Sequence, residues 1–446
     1  MAIKVGMVSL GCPKNQVDGE MMLAALSGEG FAITNDASEA DVILVNTCGF
    51  IDDAKKESIE TILEMAEYKK TGRLRALVVT GCLAERYQKE VLDEMPEVDA
   101  VLGIGSNGKI AQSIREVLEN GEKMTCFPPK SCMPLTGERT LTTPPYTAYL
   151  RVADGCSNCC TYCAIPMIRG PFRSRPMEDI VEEARKLAQD GVKELVVIAQ
   201  DTSRYGLDLY DTLMLPELLK QLCQIDGVRW IRVLYAYPDT ITPELLEVMA
   251  QEPKVCNYLD LPLQHASKDV LKAMNRRGDQ QSLLHLVRTL RDKVEDIALR
   301  TTLIAGFPGE TEEQFAELAE FVKEAQFDHL GCFAYSPEED TIAAALENQV
   351  EDEVKQRRQE IIMEEQSLIS SSRLEKQVGK RETVLVEKKG ERPGLYVGRT
   401  QHQAPEIDGV VLFTAKQPLL PGQFVEVELT GHTDYDLKGH LVSAEQ

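Results

Sequence analysis

The chain has 446 residues, of which 43% are hydrophobic, and a formal net charge of −23. About three domains with ordinary packed cores are expected at this length, and no apolar run reaches the roughly 18 residues of a membrane-spanning helix. The acidity disfavours bulk attraction to nucleic acid and favours a basic partner, although acidity also serves solubility alone.

The start, Met1-Ala2-Ile3-Lys4-Val5-Gly6-Met7-Val8, reads as a strand entering a domain. It lacks the features of a signal peptide, so a cytoplasmic location is expected. In a reducing compartment the 12 cysteines point to metal binding or catalysis where their spacing is regular.

Residues 1–122 alternate strand and helix signals. Strands are expected at Val5–Leu10, Asp41–Asn46, Arg75–Thr80 and Asp99–Ile104. Helices are expected over Asp18–Leu26, Asp52–Tyr68 and Gly108–Leu118, the second with Ile59, Ile62, Leu63 and Ala66 at helical spacing. This pattern implies a doubly wound parallel α/β domain. Cys12, Cys48 and Cys82 each fall just past a strand's carboxyl end, beside Gly11, Gly49 and Gly81. Ligands bind at those ends in such sheets. Three cysteines distant in sequence are therefore expected to converge on a metal site. Structural zinc usually takes four protein ligands, so an iron–sulfur cluster with one open iron fits three thiolates better.

Residues 123–145 read as a linker, with Pro128-Pro129, Pro134 and Pro144-Pro145. Cys126 and Cys132 lie in that stretch and read as ordinary thiols.

A strand at Tyr149–Val152 leads into Gly155-Cys156-Ser157-Asn158-Cys159-Cys160-Thr161-Tyr162-Cys163. Cys156, Cys160 and Cys163 stand as C-x3-C-x2-C, and using Cys159 in place of Cys160 gives C-x2-C-x3-C. Three thiolates so close in sequence suit a 4Fe-4S cluster with one iron left for substrate. Further strands are expected at Glu194–Gln200, Trp230–Tyr235, Tyr258–Leu261, Ile297–Ile304 and His329–Ala334, with a helix at Met177–Asp190. Repeated βα units suggest a full or partial parallel barrel over residues 146–375, with its site at the carboxyl ends of the strands. Gln200-Asp201-Thr202, Tyr237-Pro238, Gln264-His265-Ala266-Ser267 and Gly306-Phe307-Pro308-Gly309-Glu310-Thr311 fall at those ends. By themselves, the last reads as a tight turn into a helix and His265 as a loop histidine. Cys223, Cys256 and Cys332 read as small buried apolar groups.

Asp352 to about Gln377 reads as a long charged helix bridging to residues 376–446. There, short strands at Thr383–Val386, Gly394–Arg399, Val410–Phe413 and Gln423–Glu428 suggest a small antiparallel β-barrel. Its Glu406, Asp408, Glu426, Glu428, Asp434 and Asp436 suit a basic protein better than a phosphate backbone.

C-x3-C-x2-C after the first barrel strand, with Tyr162 before its last cysteine, resembles the radical S-adenosylmethionine enzymes. The N-terminal cysteines narrow the resemblance to the methylthiotransferases. Ser9-Leu10-Gly11-Cys12-Pro13-Lys14-Asn15, Ile198–Thr202, Tyr235–Pro238, Tyr258–Ser267 and Ala404-Pro405-Glu406-Ile407-Asp408-Gly409 are similar to the RimO type. The C-terminal barrel resembles a TRAM domain. The resemblance selects Cys160 over Cys159. It implies a partial TIM-like radical SAM barrel in which Cys156, Cys160 and Cys163 hold the 4Fe-4S cluster that binds S-adenosylmethionine. It implies a second 4Fe-4S cluster on Cys12, Cys48 and Cys82, where sulfur is methylated and passed to a carbon radical. Tyr162, Ile165, Gly306 and Gly309 are expected near S-adenosylmethionine. The implied acceptor is the β-carbon of an aspartate in ribosomal protein S-12, on or near the small ribosomal subunit, with an external electron donor and no membrane. Direct RNA contact is left open. The rivals are a tRNA methylthiotransferase of the MiaB type, whose first cysteine usually lies in a Gly-Cys-Gln-Met-Asn-like sequence, and a zinc-stabilised ribosome-binding module.

Overall fold

A computed structural model describes residues 2–444 and divides into two compact units. Within the described residues, the first comprises 2–143, 151–175 and 336–344, and the second 144–150, 176–335 and 345–444. The C-x3-C-x2-C loop thus groups with the N-terminal sheet. Among the described residues no helix is long and apolar enough to cross a membrane.

The first unit is built on six strands: β1 (Lys4–Ser9), β2 (Ala32–Ile33), β3 (Val42–Thr47), β4 (Ala76–Gly81), β5 (Ala100–Leu102) and β6 (Met124–Cys126). They run in parallel in the order β2-β1-β3-β4-β5-β6. Every residue of β3 and β4 is buried, as expected for central strands covered on both faces. Apolar clusters lie on either side, one around Ile43, Val45, Leu77 and Val79, the other around Leu44, Val78, Ile110 and Ile114. The doubly wound expectation holds here, with two differences. The first helix spans Pro13–Gly28 rather than Asp18–Leu26. Pro13 at its first position supplies a helical φ and lacks the N–H that would have no partner there. Cys126 ends β6, opposite Leu102, so it is a sheet residue and not part of an extended connector.

The second unit begins on β7 (Thr147–Arg151), of which residues 147–150 belong to it. A small antiparallel pair follows in the first unit, β8 (Ala153–Asp154) with β9 (Arg173–Ser174). The second unit continues with β10 (Glu194–Ile198), β11 (Trp230–Val233), β12 (Val255–Asp260), β13 (Ala298–Ala305) and β14 (His329–Ala334). The sheet order is β14-β13-β12-β11-β10-β7, and β10 to β14 pair in parallel. It does not close, so the barrel is partial. The helix Asp352–Glu375 is not a free bridge: Lys355, Arg358, Gln366 and Ile369 are buried, and Gln366 donates to the Phe327 carbonyl at 2.9 Å. Cys223, Cys256 and Cys332 are buried as expected.

The C-terminal strands β15 (Arg381–Lys389), β16 (Leu395–Arg399), β17 (Val411–Thr414), β18 (Phe424–His432) and β19 (Leu437–Ala444) close in the order β15-β16-β17-β19-β18. Closure uses one parallel pair, β17 with β19; the others are antiparallel. Strand β19 escaped the sequence pattern, where Lys438, Gly439 and His440 dilute its apolar residues.

Two buried charge networks seat this small barrel on the larger sheet within the second unit. Glu194 pairs with Arg399 at 2.6 Å and Arg232 at 3.0 Å. Asp408 accepts from Tyr258 Oη at 2.7 Å and lies 3.4 Å from Arg300. Asp408 therefore faces inward. Asp436 accepts the Val410 N–H and Glu426 the Thr383 hydroxyl. Of the barrel's acidic residues, Asp408 is thus spent within the fold, whereas Glu406 and Asp434 are exposed.

Candidate metal centre

The N-terminal cysteines lie at adjacent strand ends of the first unit. Cys12 caps the helix Pro13–Gly28, Cys48 follows β3 by one residue, and Cys82 opens the helix Cys82–Tyr87 directly after β4. Two glycines bring these ends together. Gly11 has φ +86°, and a Cβ there would stand 2.9 Å from Cys48 Sγ. A Cβ on Gly49 would stand 2.7 Å from the Leu83 backbone, at the start of the Cys82 helix. Only glycine permits these approaches.

Asn15 fixes the same edge, donating to the Leu10 carbonyl at 2.7 Å and to those of Asn46 and Thr47 at 3.3 Å. Cys48 N–H donates to Ser58 Oγ at 3.1 Å, and that hydroxyl returns a bond to the Cys48 carbonyl at 2.8 Å. Burial pushes the Cys82 thiol up to about 12; Arg169 opposes this, while Cys12 and Cys48 add like-charge repulsion. Burial raises Cys48 as well. These thiols need a cationic partner to ionise, which a bound metal centre supplies.

The second set sits on the loop between β8 and the helix Ile165–Arg169. Cys156, Cys160 and Cys163 are half-buried. The Cys156 N–H donates to the Gly170 carbonyl and the Cys163 N–H to that of Cys160, both at 3.1 Å. The Ile165 N–H points at Cys163 Sγ at 3.5 Å. Cys159 is exposed, with its thiol 3.6 Å from the Ser157 carbonyl. Tyr162 and Ile165 are half-buried beside the cysteines.

The two sets meet through the helix Ile165–Arg169. Cys82 packs with Ala164 and Ile168 in one buried cluster. Arg169 reaches Asp18 and Asp154 at 2.9 Å and lies 3.7 Å from Cys82 Sγ. Arg151 also pairs with Asp18 and lies 3.3 Å from Asp154. The segment Ser336–Ala344 straps this region: Ala343 N–H donates to the Thr161 carbonyl at 2.9 Å. Glu338 receives Arg86 at 2.9 Å and the Asp52 N–H at 3.1 Å, and Arg86 also donates to the Gly49 carbonyl. Sequence reasoning missed Asn15, Arg86, Arg169 and Glu338, which carry no spacing signal; only the location of Asn15 and Arg169 beside cysteine motifs could have raised them.

Among the described residues, no three or more His, Cys, Asp or Glu side chains form a cage for a single metal ion. Two all-cysteine trios at glycine-lined loops fit the soft thiolate chemistry of iron–sulfur clusters.

In the second unit, both polar atoms of the Gln200 side-chain amide, just past β10, are buried without a protein partner. Tyr235 and Gln264, past β11 and in the loop after β12, hold left-handed backbones at φ +61° and +72°. Such orphaned and strained positions cluster where ligands bind. Gly306 and Gly309 are also left-handed. Glu310 organises their turn, accepting Gly306 N–H at 2.9 Å and Phe307 N–H at 3.3 Å while pairing with Arg358 at 2.9 Å. The helix Glu312–Ala325 follows, with a Thr311–Gln314 capping box. His265 accepts the Ser267 N–H through Nδ1 at 2.9 Å, while its buried Nε2 lies 3.3 Å from Glu310 without a hydrogen-bond partner.

Three family models match the chain: Uncharacterized protein family UPF0004 over residues 4–103, the Radical SAM superfamily over 150–322 and the TRAM domain over 378–442. The chain is 51% identical to the ribosomal protein uS12 methylthiotransferase RimO of Lachnoclostridium phytofermentans, covering 98% of this chain and 99% of that one. It is 52% identical to the RimO of Pelotomaculum thermopropionicum, covering 99% and 100%. The fold resembles that of TsrM, a radical S-adenosylmethionine methyltransferase from Kitasatospora setae solved with cobalamin and a 4Fe-4S cluster. The TM-score is 0.58 at 14% identity, covering 89% of this chain and 81% of that one. The chain belongs to the RimO family of ribosomal protein uS12 methylthiotransferases, within the radical S-adenosylmethionine superfamily.

Proposed function

We propose that this chain transfers a methylthio group to the β-carbon of an aspartate in ribosomal protein uS12, and that it does so in the cytoplasm. The observation that carries the proposal is the meeting of two cysteine trios in one compact unit, joined through Arg169 and the Cys82 packing cluster. Cys156, Cys160 and Cys163 are the proposed ligands of the cluster that binds S-adenosylmethionine, and Cys12, Cys48 and Cys82 those of the second. When bound, these cofactors supply one-electron cleavage of S-adenosylmethionine and the place where the sulfur to be transferred is methylated. The chain's own residues hold and shield them. Gly11 and Gly49 bring the strand ends together, Ala164 and Ile168 keep water from Cys82, and the strap at Ser336–Ala344 covers Thr161. Tyr162 and Ile165 are the proposed neighbours of S-adenosylmethionine on this loop. In the second unit, Gly306, Gly309 and Gln200 are proposed as ligand contacts, the first two through backbone groups and Gln200 through its amide.

The test is anaerobic reconstitution with iron and sulfide, then reaction with uS12 and with tRNA, each read by mass spectrometry. Two clusters per chain and one methylthio group on a uS12 aspartate are expected. Unmodified uS12 together with methylthiolated tRNA overturns the substrate. Zinc in the trios overturns the chemistry.

A further inference from the structure

We propose that Arg169 is a positioning residue that holds the Cys82 sulfur by an N–H···S contact and sets the reduction potential of the second cluster. This rests on the reading of Cys12, Cys48 and Cys82 as that cluster's ligands.

Arg169 ends the helix that starts two residues after Cys163, so one short element carries groups toward both trios. Its side chain is 1% exposed. Nη1 lies 2.9 Å from Asp154, while Nη2 lies 2.9 Å from Asp18, 3.4 Å from Asn15 Oδ1 and 3.7 Å from Cys82 Sγ. Arg151 makes the informative contrast. It pairs with the same two carboxylates, but its second nitrogen turns to the Pro134 carbonyl at 3.2 Å and Met21 Sδ at 3.3 Å. Two arginines and two aspartates make the network neutral as a whole. The charge on the sulfur side is then the Arg169 guanidinium. An N–H donor and a positive charge against a cluster thiolate stabilise the more negative, reduced state and raise the potential. Burial strengthens the effect because little water screens it.

The experiment uses full-length protein in which Cys156, Cys160 and Cys163 are alanine, so that only the second cluster loads, and follows its reduction by electron paramagnetic resonance. Removing Arg169 alone would strand two buried carboxylates. The test variant is therefore Arg169→Gln with Asp154→Asn, which keeps the network neutral. The control is Arg151→Gln with Asp18→Asn, which removes the same kinds of charge, keeps an amide oxygen as acceptor for Arg169 Nη2 and retains the guanidinium beside the sulfur. A shift to more negative potential is expected in the test pair, little shift in the control, and an intermediate value in Arg169→Lys, which keeps the charge but not the fork. A test pair with the native potential, or a control that shifts equally, overturns the role. Should the test pair lose its iron, Arg169→Lys decides by the same titration, and a native potential there overturns it. A parent protein that takes up no cluster removes the underlying ligand reading instead.

Discussion

The two cysteine trios are built on opposite plans. Cys156, Cys160 and Cys163 share one half-buried loop, so their arrangement depends on a few local hydrogen bonds. Cys12, Cys48 and Cys82 come from three strand ends, and two of them are buried. Their arrangement depends on sheet register and on glycines that let neighbouring loops touch. A local trio tolerates change in the sheet beneath it, whereas a distributed trio inherits every error in the sheet.

Removing one cysteine from each trio has the largest expected effect and separates their proposed tasks. Cys156→Ala should abolish S-adenosylmethionine cleavage and methylthio transfer together. Cys82→Ala should abolish transfer while 5′-deoxyadenosine still forms. Chromatography of 5′-deoxyadenosine beside mass spectrometry of uS12 reads both. If cleavage vanishes equally in Cys82→Ala, the trios are not separate in function.

Gly49→Ala tests the distributed plan without touching a ligand. Its new Cβ would lie 2.7 Å from the Leu83 backbone, which cannot rotate away. Moving the start of the Cys82 helix is expected to cost about 1–3 kcal/mol, in the range of core overpacking. Iron per chain should fall toward half, with 5′-deoxyadenosine formation kept. Full iron content in Gly49→Ala would show that the strand ends are looser than the packing indicates.

How far each plan was legible in the sequence follows the same contrast. The loop trio announces itself by spacing, because its cysteines are neighbours in the chain. The distributed trio was legible only after strands were placed, when three Gly-Cys or Cys-Gly pairs fell at equivalent ends. Arg169 and Glu338 were not legible at all, since their partners Asp18, Cys82 and Arg86 are remote in sequence and buried arginines and carboxylates follow no periodicity. The same holds for Asp408, read as surface charge from its composition and found accepting a hydrogen bond from Tyr258. Strands β2, β6 and β19 were missed because edge or polar-diluted strands carry a weak apolar pattern.

A perturbation that touches neither trio sharpens the contrast further. Burial alone would raise the Glu194 carboxyl, but Arg399 and Arg232 hold it down to about 2 from an ordinary 4.5. The folded state therefore keeps the ionised form while the unfolded chain takes up a proton first. This stability is present above pH 4.5 and is lost as pH falls toward 2; it amounts to about 3 kcal/mol at one pKa unit per 1.36 kcal/mol. Thermal melts of the full chain should drop through this window, and Glu194→Gln should start lower and change less. Parallel pH profiles in the two proteins would remove Glu194 from the account of acid stability.

The smallest expected effect belongs to Cys159, and it bears on how the local plan chooses its ligands. Cys159 and Cys160 are neighbours, and either completes a plausible spacing. The backbone separates them: Cys159 is left-handed at φ +52° and exposed, with its thiol toward the Ser157 carbonyl, whereas Cys160 is half-buried and its carbonyl receives the Cys163 N–H. The two thiols therefore sit in different surroundings, one exposed and one half-buried. Cys159→Ala should therefore keep full iron and near-native 5′-deoxyadenosine formation, while Cys160→Ala should lose the loop cluster. Since cysteine and alanine both carry a Cβ, the left-handed strain is already present in the native residue, so a large loss of iron in Cys159→Ala cannot be blamed on backbone strain, and it would reassign the loop to the C-x2-C-x3-C spacing.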